Sequence, residues 1–224
     1  MTAAQRNSIS NPPAGLMLWC SDCGTDGQLQ VYNGSEYTNI IGGSRLLTNV
    51  HSQIGGDIDG EATYDYSGWS ASLSSDGTIV AIGAIQNAGN GSNAGHVRVY
   101  QYASSTWSQL GSDIDGEAAG DYSGCSVFLS GDGTTVAIGS THNDNANTDA
   151  GHVRVYQYAS STWSQLGSDI DGEATWDGSG FAVSLSDDGT IVAIGAKDND
   201  GGGTNSGHVR VYQYASSTWS QLGS

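Results

Sequence analysis

Apolar and polar positions in this chain follow a pattern that recurs. From residue 57 onward, stretches with every second residue apolar alternate with stretches that are apolar throughout, and turn formers separate them. Strict alternation predicts a strand with one buried face; a short continuous apolar run predicts a strand buried on both. In the first instance Trp69, Ala71 and Leu73 alternate with serines, which predicts a strand over 69–73 with these three side chains inward. Asp76 and Gly77 mark a hairpin turn. The run IVAIGA at 79–84 predicts a second strand buried on both faces. A polar loop over 85–94 leads to a third strand over 96–102. Two serines at 104–105 turn the chain into a fourth strand over 106–110.

The same succession occurs three times. GHVRVYQYASSTWSQLGS stands verbatim at 95–112, 151–168 and 207–224, and DIDGEA begins at Asp57, Asp113 and Asp169, a period of 56 residues. Four strands in such a period are the signature of a propeller blade, because one four-stranded sheet cannot cover both its own faces. The predicted fold is therefore all-β: a β-propeller-like array of four-stranded antiparallel blades at 57–112, 113–168 and 169–224. Closed propellers have roughly four to eight blades. Three complete repeats thus predict an incomplete propeller, with further blades supplied by a longer parent chain. Residues 1–13 read as a flexible tail and 14–43 as a small β lead-in holding Cys20 and Cys23. Residues 44–56 read as a connecting outer strand, since Ser-Gln-Ile at 52–54 echoes the Ser-Gln-Leu of the fourth strands.

The segment GDYSGCSVFLSGDGTTVAIGS at 120–140 resembles the FG-GAP repeat of integrin α-chain propellers and bacterial surface proteins. Ser67-Gly68, Ser123-Gly124 and Ser179-Gly180 stand where that pattern has Phe-Gly. Gly83-Ala84-Ile85 and Gly195-Ala196-Lys197 stand where it has Gly-Ala-Pro, and Gly95 to Tyr100 matches its closing Gly-x-Val-x-Val-Tyr strand. The resemblance implies a propeller and a secreted or cell-surface, integrin-like adhesion role. It also implies a calcium hairpin between the first two strands. The matching positions are Ser72, Ser74, Asp76, Gly77 and Val80, with one carboxylate, so that site is not expected.

Charge narrows the classes. A net charge of −17, with Lys197 the only lysine, repels phosphate backbones and excludes nucleic-acid binding. It also disfavours anionic membrane surfaces, and no stretch approaches the ~20 apolar residues of a membrane span. The first 20 residues hold no signal-peptide pattern, so export by that route is not visible in this stretch. Cys20 and Cys23 form a lone CxxC without partner ligands. That argues against zinc and leaves a local disulfide or two free thiols. Cys125 fills the column of Trp69 and Phe181, as a small core residue would.

Topology sorts the loops. In an antiparallel four-stranded blade the second-to-third loop and the link to the next blade share one end. Differences between copies gather there, as do most carboxylates. This acidic face is the expected ligand face, with Tyr64, Asp65, Asp121, Asp144, Asp149, Trp176, Asp177, Asp198 and Asp200 as contacts for a protein or glycan partner. Asp57, Asp59 and Glu61 sit at alternate positions of a link, as do Asp113, Asp115, Glu117 and Asp169, Asp171, Glu173. Each trio could cradle calcium or could simply solvate and cap the link. His96, His152 and His208, beside Arg98, Arg154 and Arg210, read as structural cross-strand pairs. Trp107, Trp163 and Trp219 read as packing residues. No nucleophile–base pair stands out. The expectation is therefore a non-enzymatic extracellular binding or adhesion module needing no cofactor, with a spacer repeat as the alternative and a propeller hydrolase or lectin after it.

Overall fold

The computed structural model describes residues 1–11, 14, 16–21, 28–32, 35, 37–39 and 53–223. The chain divides into two compact units, Met1–Gln53 and Ile54–Ser224.

The first unit holds helix α1 (Ala3–Asn7) and a three-stranded antiparallel meander of β1 (Met17–Cys20), β2 (Gln28–Tyr32) and β3 (Tyr37–Asn39). Part of the segment expected to be a flexible tail is thus a short helix. Thr2 caps it in a reciprocal box: its hydroxyl accepts from Gln5 N–H at 3.2 Å, and its own N–H donates to Gln5 Oε1 at 2.8 Å. The Met1 ammonium donates to the Trp19 carbonyl at 2.8 Å, tying the helix to β1. Cys20 is held in a disulfide; Cys23 lies outside the described residues. The outer strand expected over 44–56 falls mostly outside them too, and 53–56 form no strand.

The second unit is three antiparallel sheets, and nearly every expected strand is present. The first sheet runs β4 (Ser67–Leu73), β5 (Ile79–Ala84), β6 (His96–Ala103) and β7 (Thr106–Gln109), with β8 (Ile114–Asp115) pairing back onto β6. The second runs β9 (Ser126–Leu129), β10 (Thr135–Ser140), β11 (His152–Ala159) and β12 (Thr162–Gln165), with β13 (Ile170–Asp171) pairing onto β11. The third is β14 (Ser179–Leu185), β15 (Ile191–Ala196), β16 (His208–Ala215) and β17 (Thr218–Gln221). These sheets form an open β-propeller-like array. The links are more ordered than expected. DIDG re-enters the preceding sheet as a fifth, two-residue strand, with Ile114 opposite Val97 and Ile170 opposite Val153.

Successive sheets stack face to face. Ile79, Ala81, Val97 and Val99 of the first sheet share a core with Val127, Leu129, Val136 and Ile138 of the second. Val153 and Val155 meet Leu185, Val192 and Ile194 in the same way at the next interface. Each of the valine, leucine and isoleucine side chains contributes about 1.5–3 kcal/mol on burial. The apolar face of a first strand therefore packs on the sheet before it. This corrects the expectation for β4: Leu129 and Leu185 are 2% and 7% exposed, but Leu73 is 59% exposed and Trp69 is also largely exposed. Alternation identified the strand and its face; burial of Leu73 needs a preceding sheet, whereas the Trp69 position is open even where a sheet precedes it, Phe181 being 54% exposed.

The serine side of these strands is not a solvent face either. Ser70 Oγ donates to the Gly124 carbonyl and Ser126 Oγ to the Gly180 carbonyl, each at 2.7 Å. Sheets approach so closely there that a Cβ on Gly83 would lie 2.2 Å from the Gly124 oxygen, and one on Gly139 2.1 Å from the Gly180 oxygen. Outer edges are latched by the repeated tryptophans. Trp163 Nε1 donates to the Leu110 carbonyl and Trp219 Nε1 to the Leu166 carbonyl at 2.7 Å, and Trp107 Nε1 to Ile54 at 3.0 Å. The packing role expected for them holds, with the indole N–H bridging one repeat to the next.

Candidate functional site

The link and second-to-third-loop end of the array carries a cavity of about 510 Å³. The starts of β4, β9 and β14 supply Trp69, Cys125 and Phe181. Loops add His142, Asp149, Lys197 and Asp198, and the last link adds Trp176. Each of its twelve lining residues stands in a repeat column that differs between copies. Trp69, Cys125 and Phe181 share one column. Ile85, Thr141 and Lys197 share a second, and Gln86, His142 and Asp198 a third. Most columns are invariant, so duplication here has kept the scaffold and changed the cavity wall.

The wall combines flat apolar surface with acid–base groups. Trp176 is 62% exposed and sits at φ 69°, in the left-handed backbone region. Trp69 and Phe181 are also more exposed than covered. Lys197 pairs with Asp198 and lies 5.4 Å over the Phe181 ring. His142 Nδ1 is 3.1 Å from Thr141 Oγ1, and its ring meets Tyr122 edge-on at 5.0 Å. Cys125 is held between the Gly139 and Gly180 carbonyls at 3.2 and 3.4 Å; burial pushes its thiol pKa up, so it stays protonated at neutral pH. It faces this cavity as well as the packed sheets.

Of the nine residues expected on the ligand face, Asp149, Trp176 and Asp198 line the cavity. Tyr64 is exposed on the first link, outside it. Asp65, Asp121 and Asp177 are a correction, because all three are buried. Asp121 Oδ2 accepts from Ala118 N–H and Asn143 Nδ2, both at 3.0 Å. Asp65 and Asp177 do the same with Ala62 and Asn87, and with Ala174 and Asn199. A carboxylate at these positions satisfies buried amides rather than a partner. Asp144 and Asp200 staple their own loops, accepting from Asp149 and Asn205 N–H at 2.7 Å. His142, Lys197 and Tyr122 were missed in the sequence. Their signal was present: they occupy columns that vary in otherwise near-identical copies.

A second kind of cluster lies where successive links meet a third strand. Among the described residues, two groups could hold a metal ion: Glu61, His96 and Asp113, and Glu117, His152 and Asp169. His96 Nδ1 is 3.9 Å from Glu61 Oε2 and 3.8 Å from Asp113 Oδ2; His152 Nδ1 is 3.8 and 3.7 Å from its pair. Each group therefore draws on two successive links and a histidine. The trio expected within one link is not what converges. Asp59, Asp115 and Asp171 instead offer their backbone carbonyls to Arg98, Arg154 and Arg210 at 2.6–2.7 Å. Burial lowers the pKa of His96 and, with Arg154 beside it, that of His152 to about 4. Burial and the neighbouring Asp169 raise that of Asp171. The lone carboxylate left in the calcium-hairpin position, Asp76, is a turn staple, accepting from Thr78 N–H at 2.9 Å and Ser74 Oγ at 2.7 Å; those bonds lower its pKa.

No family model and no curated protein sequence matches the chain, so the FG-GAP resemblance gains no support from them. Among solved structures, similar ones include Sqt1 of Saccharomyces cerevisiae, at 15% identity and TM-score 0.45, over 71% of this chain and 35% of that one. The periplasmic gluconolactonase PpgL of Pseudomonas aeruginosa is similar at 13% identity and TM-score 0.45, over 89% and 49%. A putative 6-phosphogluconolactonase of Bacteroides uniformis is similar at 10% identity and TM-score 0.33, over 92% and 66%. The chain thus spans a third to two thirds of these proteins. The expectation of a non-enzymatic adhesion module is corrected to this extent: two of these neighbours are lactonases by name, at identities that show the fold alone, and the end of the array where the copies differ holds a cavity rather than a flat acidic face.

Proposed function

We propose that the cavity bounded by Trp69, Trp176 and Phe181 is a small-molecule site, and that the chain belongs to a propeller hydrolase opening a neutral, polyhydroxylated ring ester. The observation that carries this reading is the cavity wall: every residue in it stands in a varying column, while the sheets behind it are near-copies. Exposed aromatic faces suit the C–H side of a sugar-like ring. Asp149 and Asp198 accept hydrogen bonds from ring hydroxyls. His142 takes a proton from water as the water oxygen bonds to the ester carbonyl carbon, and the Lys197 ammonium faces the oxyanion that forms. The ring C–O bond then breaks and the proton passes to the departing alkoxide, giving a hydroxy acid. A net charge of −17 favours an uncharged ring over a phosphorylated one.

The disulfide at Cys20 supports an oxidising compartment, outside the cytoplasm. The motif order quoted above supports an FG-GAP-like origin for the repeats. Gluconolactone is the first substrate to test, being named in one neighbour and, as its 6-phosphate, in another. Enzymatic proton release above the spontaneous rate is expected, with kcat reduced at least ~100-fold in His142→Gln and KM raised in Trp176→Ala. Absence of both turnover and binding across a panel of neutral aldonolactones would reject the proposal.

A further inference from the structure

We infer that the two clusters where links meet third strands are divalent-metal sites of mixed nitrogen and oxygen character. Glu61, His96 and Asp113 form the first; Glu117, His152 and Asp169 form the second. In each, one imidazole nitrogen and two carboxylate oxygens lie within 4.8 Å of one another. The 3.7–3.9 Å spacings are too long for hydrogen bonds. They are close to what a metal needs. Ligands at ~2.0–2.1 Å in a tetrahedral shell stand about 3.4 Å apart, so the histidine–carboxylate spacings need contract by only a few tenths of an ångström, with the two carboxylates drawing in from within 4.8 Å.

The histidines supply an independent observation. His96 and His152 are 1% and 0% exposed, and the Nδ1 of each makes no hydrogen bond. A buried ring nitrogen left without a partner, twice and at equivalent positions, is a ligand atom pointing at two carboxylates. Burial keeps the ring neutral, with its lone pair available. Arg98 Nη1 lies 3.4 Å from Glu61 Oε1, and Arg154 Nη1 3.6 Å from Glu117 Oε1. Each arginine thus holds the far carboxylate oxygen and leaves Oε2 toward the imidazole, as outer partners of metal ligands do. Two carboxylates and one guanidinium leave each site with one net negative charge, which a dication reverses rather than compounds. One nitrogen and two carboxylate donors favour zinc-like ions over calcium, which takes six to eight oxygens. The third repeat places His208 3.8 Å from Glu173 but adds no second carboxylate among the described residues. The described residues therefore hold two ions, each joining the link that enters a sheet to the link that leaves it.

Zinc titration of the whole chain by calorimetry, with parallel thermal melts, tests this apart from any hydrolytic activity. Two equivalents are expected, with Tm raised by about 10–20 °C at a hundredfold excess over Kd, half of it from each site. His152→Gln should bind one equivalent and His96→Gln/His152→Gln none, while His208→Gln keeps two. If the histidine variants do not fold, Glu61→Gln/Glu117→Gln, changed at exposed carboxylates, should lose uptake instead. Zinc uptake that survives either double variant, or no uptake by the folded wild type, would overturn the inference. Calcium binding equally tight and indifferent to both histidines would overturn it as well.

Discussion

Gly139 and Gly195 occupy the same column of the repeat in equivalent strands, yet the same substitution should affect them in opposite ways. A Cβ on Gly139 would lie 2.1 Å from the Gly180 carbonyl oxygen and 2.5 Å from Ser126 Oγ. Close C–H···O contacts sit at about 3.3–3.6 Å, so the second and third sheets must part by more than an ångström. Overpacking of this kind costs about 1–3 kcal/mol. Displacing Ser126 from its 2.7 Å bond to Gly180 adds about 1 kcal/mol. Gly139→Ala should therefore lose about 2–4 kcal/mol. In a folded unit of this size 1 kcal/mol shifts the melting point by about 2–4 °C, which gives a drop of roughly 4–16 °C. On Gly195 the nearest atom to an added Cβ is 3.6 Å away, an ordinary contact. Gly195→Ala should be neutral or slightly stabilising, because alanine loses less backbone freedom on folding. Thermal melts of the two variants followed by circular dichroism decide the matter. Equal drops in both, or a Gly139→Ala protein melting with the wild type, would refute the account of close sheet approach.

Acid should act in two separate windows. The folded pKa of His152, about 4, lies below its ordinary 6.5, so the unfolded chain takes up the proton first. Its contribution is complete above pH 6.5 and is lost as pH falls toward 4, on the order of 3 kcal/mol; urea unfolding of wild type and His152→Gln at pH 7.5 and 4.5 should show a smaller loss in the variant by about that amount, the rest of the slope coming from His96, whose pKa burial also lowers. Asp76 and Asp188 are lowered by their turn hydrogen bonds, so their contribution is full above 3.8 and is lost only below it. Asp121→Ala should cost about 2–4 kcal/mol, since it leaves the Ala118 N–H and the Asn143 amide without their buried acceptor. Asp144→Ala, which removes one exposed loop bond from the Asp149 N–H, should cost only about 1 kcal/mol in the same denaturation assay.

Strands and turns were legible because their causes are local. Period-2 alternation, Asp-Gly turns and verbatim repetition placed nearly every strand of the array to within a residue or two. What was not legible depends on neighbours. Leu73 and Leu129 have the same local pattern and differ in burial because only one has a sheet against it. Asp65 and Asp198 are both loop carboxylates near differing positions, but one satisfies buried amides and the other lines a cavity. Glu61 and Asp113 are 52 residues apart and meet at His96 only because DIDG folds back onto a third strand as a fifth. The variation between copies points to the end of the array that carries the cavity. It took three-dimensional placement to separate staple from wall.

The stacked faces also have a consequence for assembly. The surface of β15 and β16 that bears Val209, 67% exposed, is the counterpart of the Ala81–Val97 surface that the second sheet covers in the first. The surface of β4 bearing Leu73 is the counterpart of the Leu129 surface that fits against it. One chain therefore displays both halves of an interface it already uses twice internally. Such halves are not self-complementary. A contact between them lacks a two-fold axis and stacks sheets head to tail, whether the next sheet comes from the same chain or from another, so it ends only where the accumulated rotation closes a ring and otherwise continues as a fibre. Polarity of association is thus written into the order in which each sheet presents its leucine side and its glycine side.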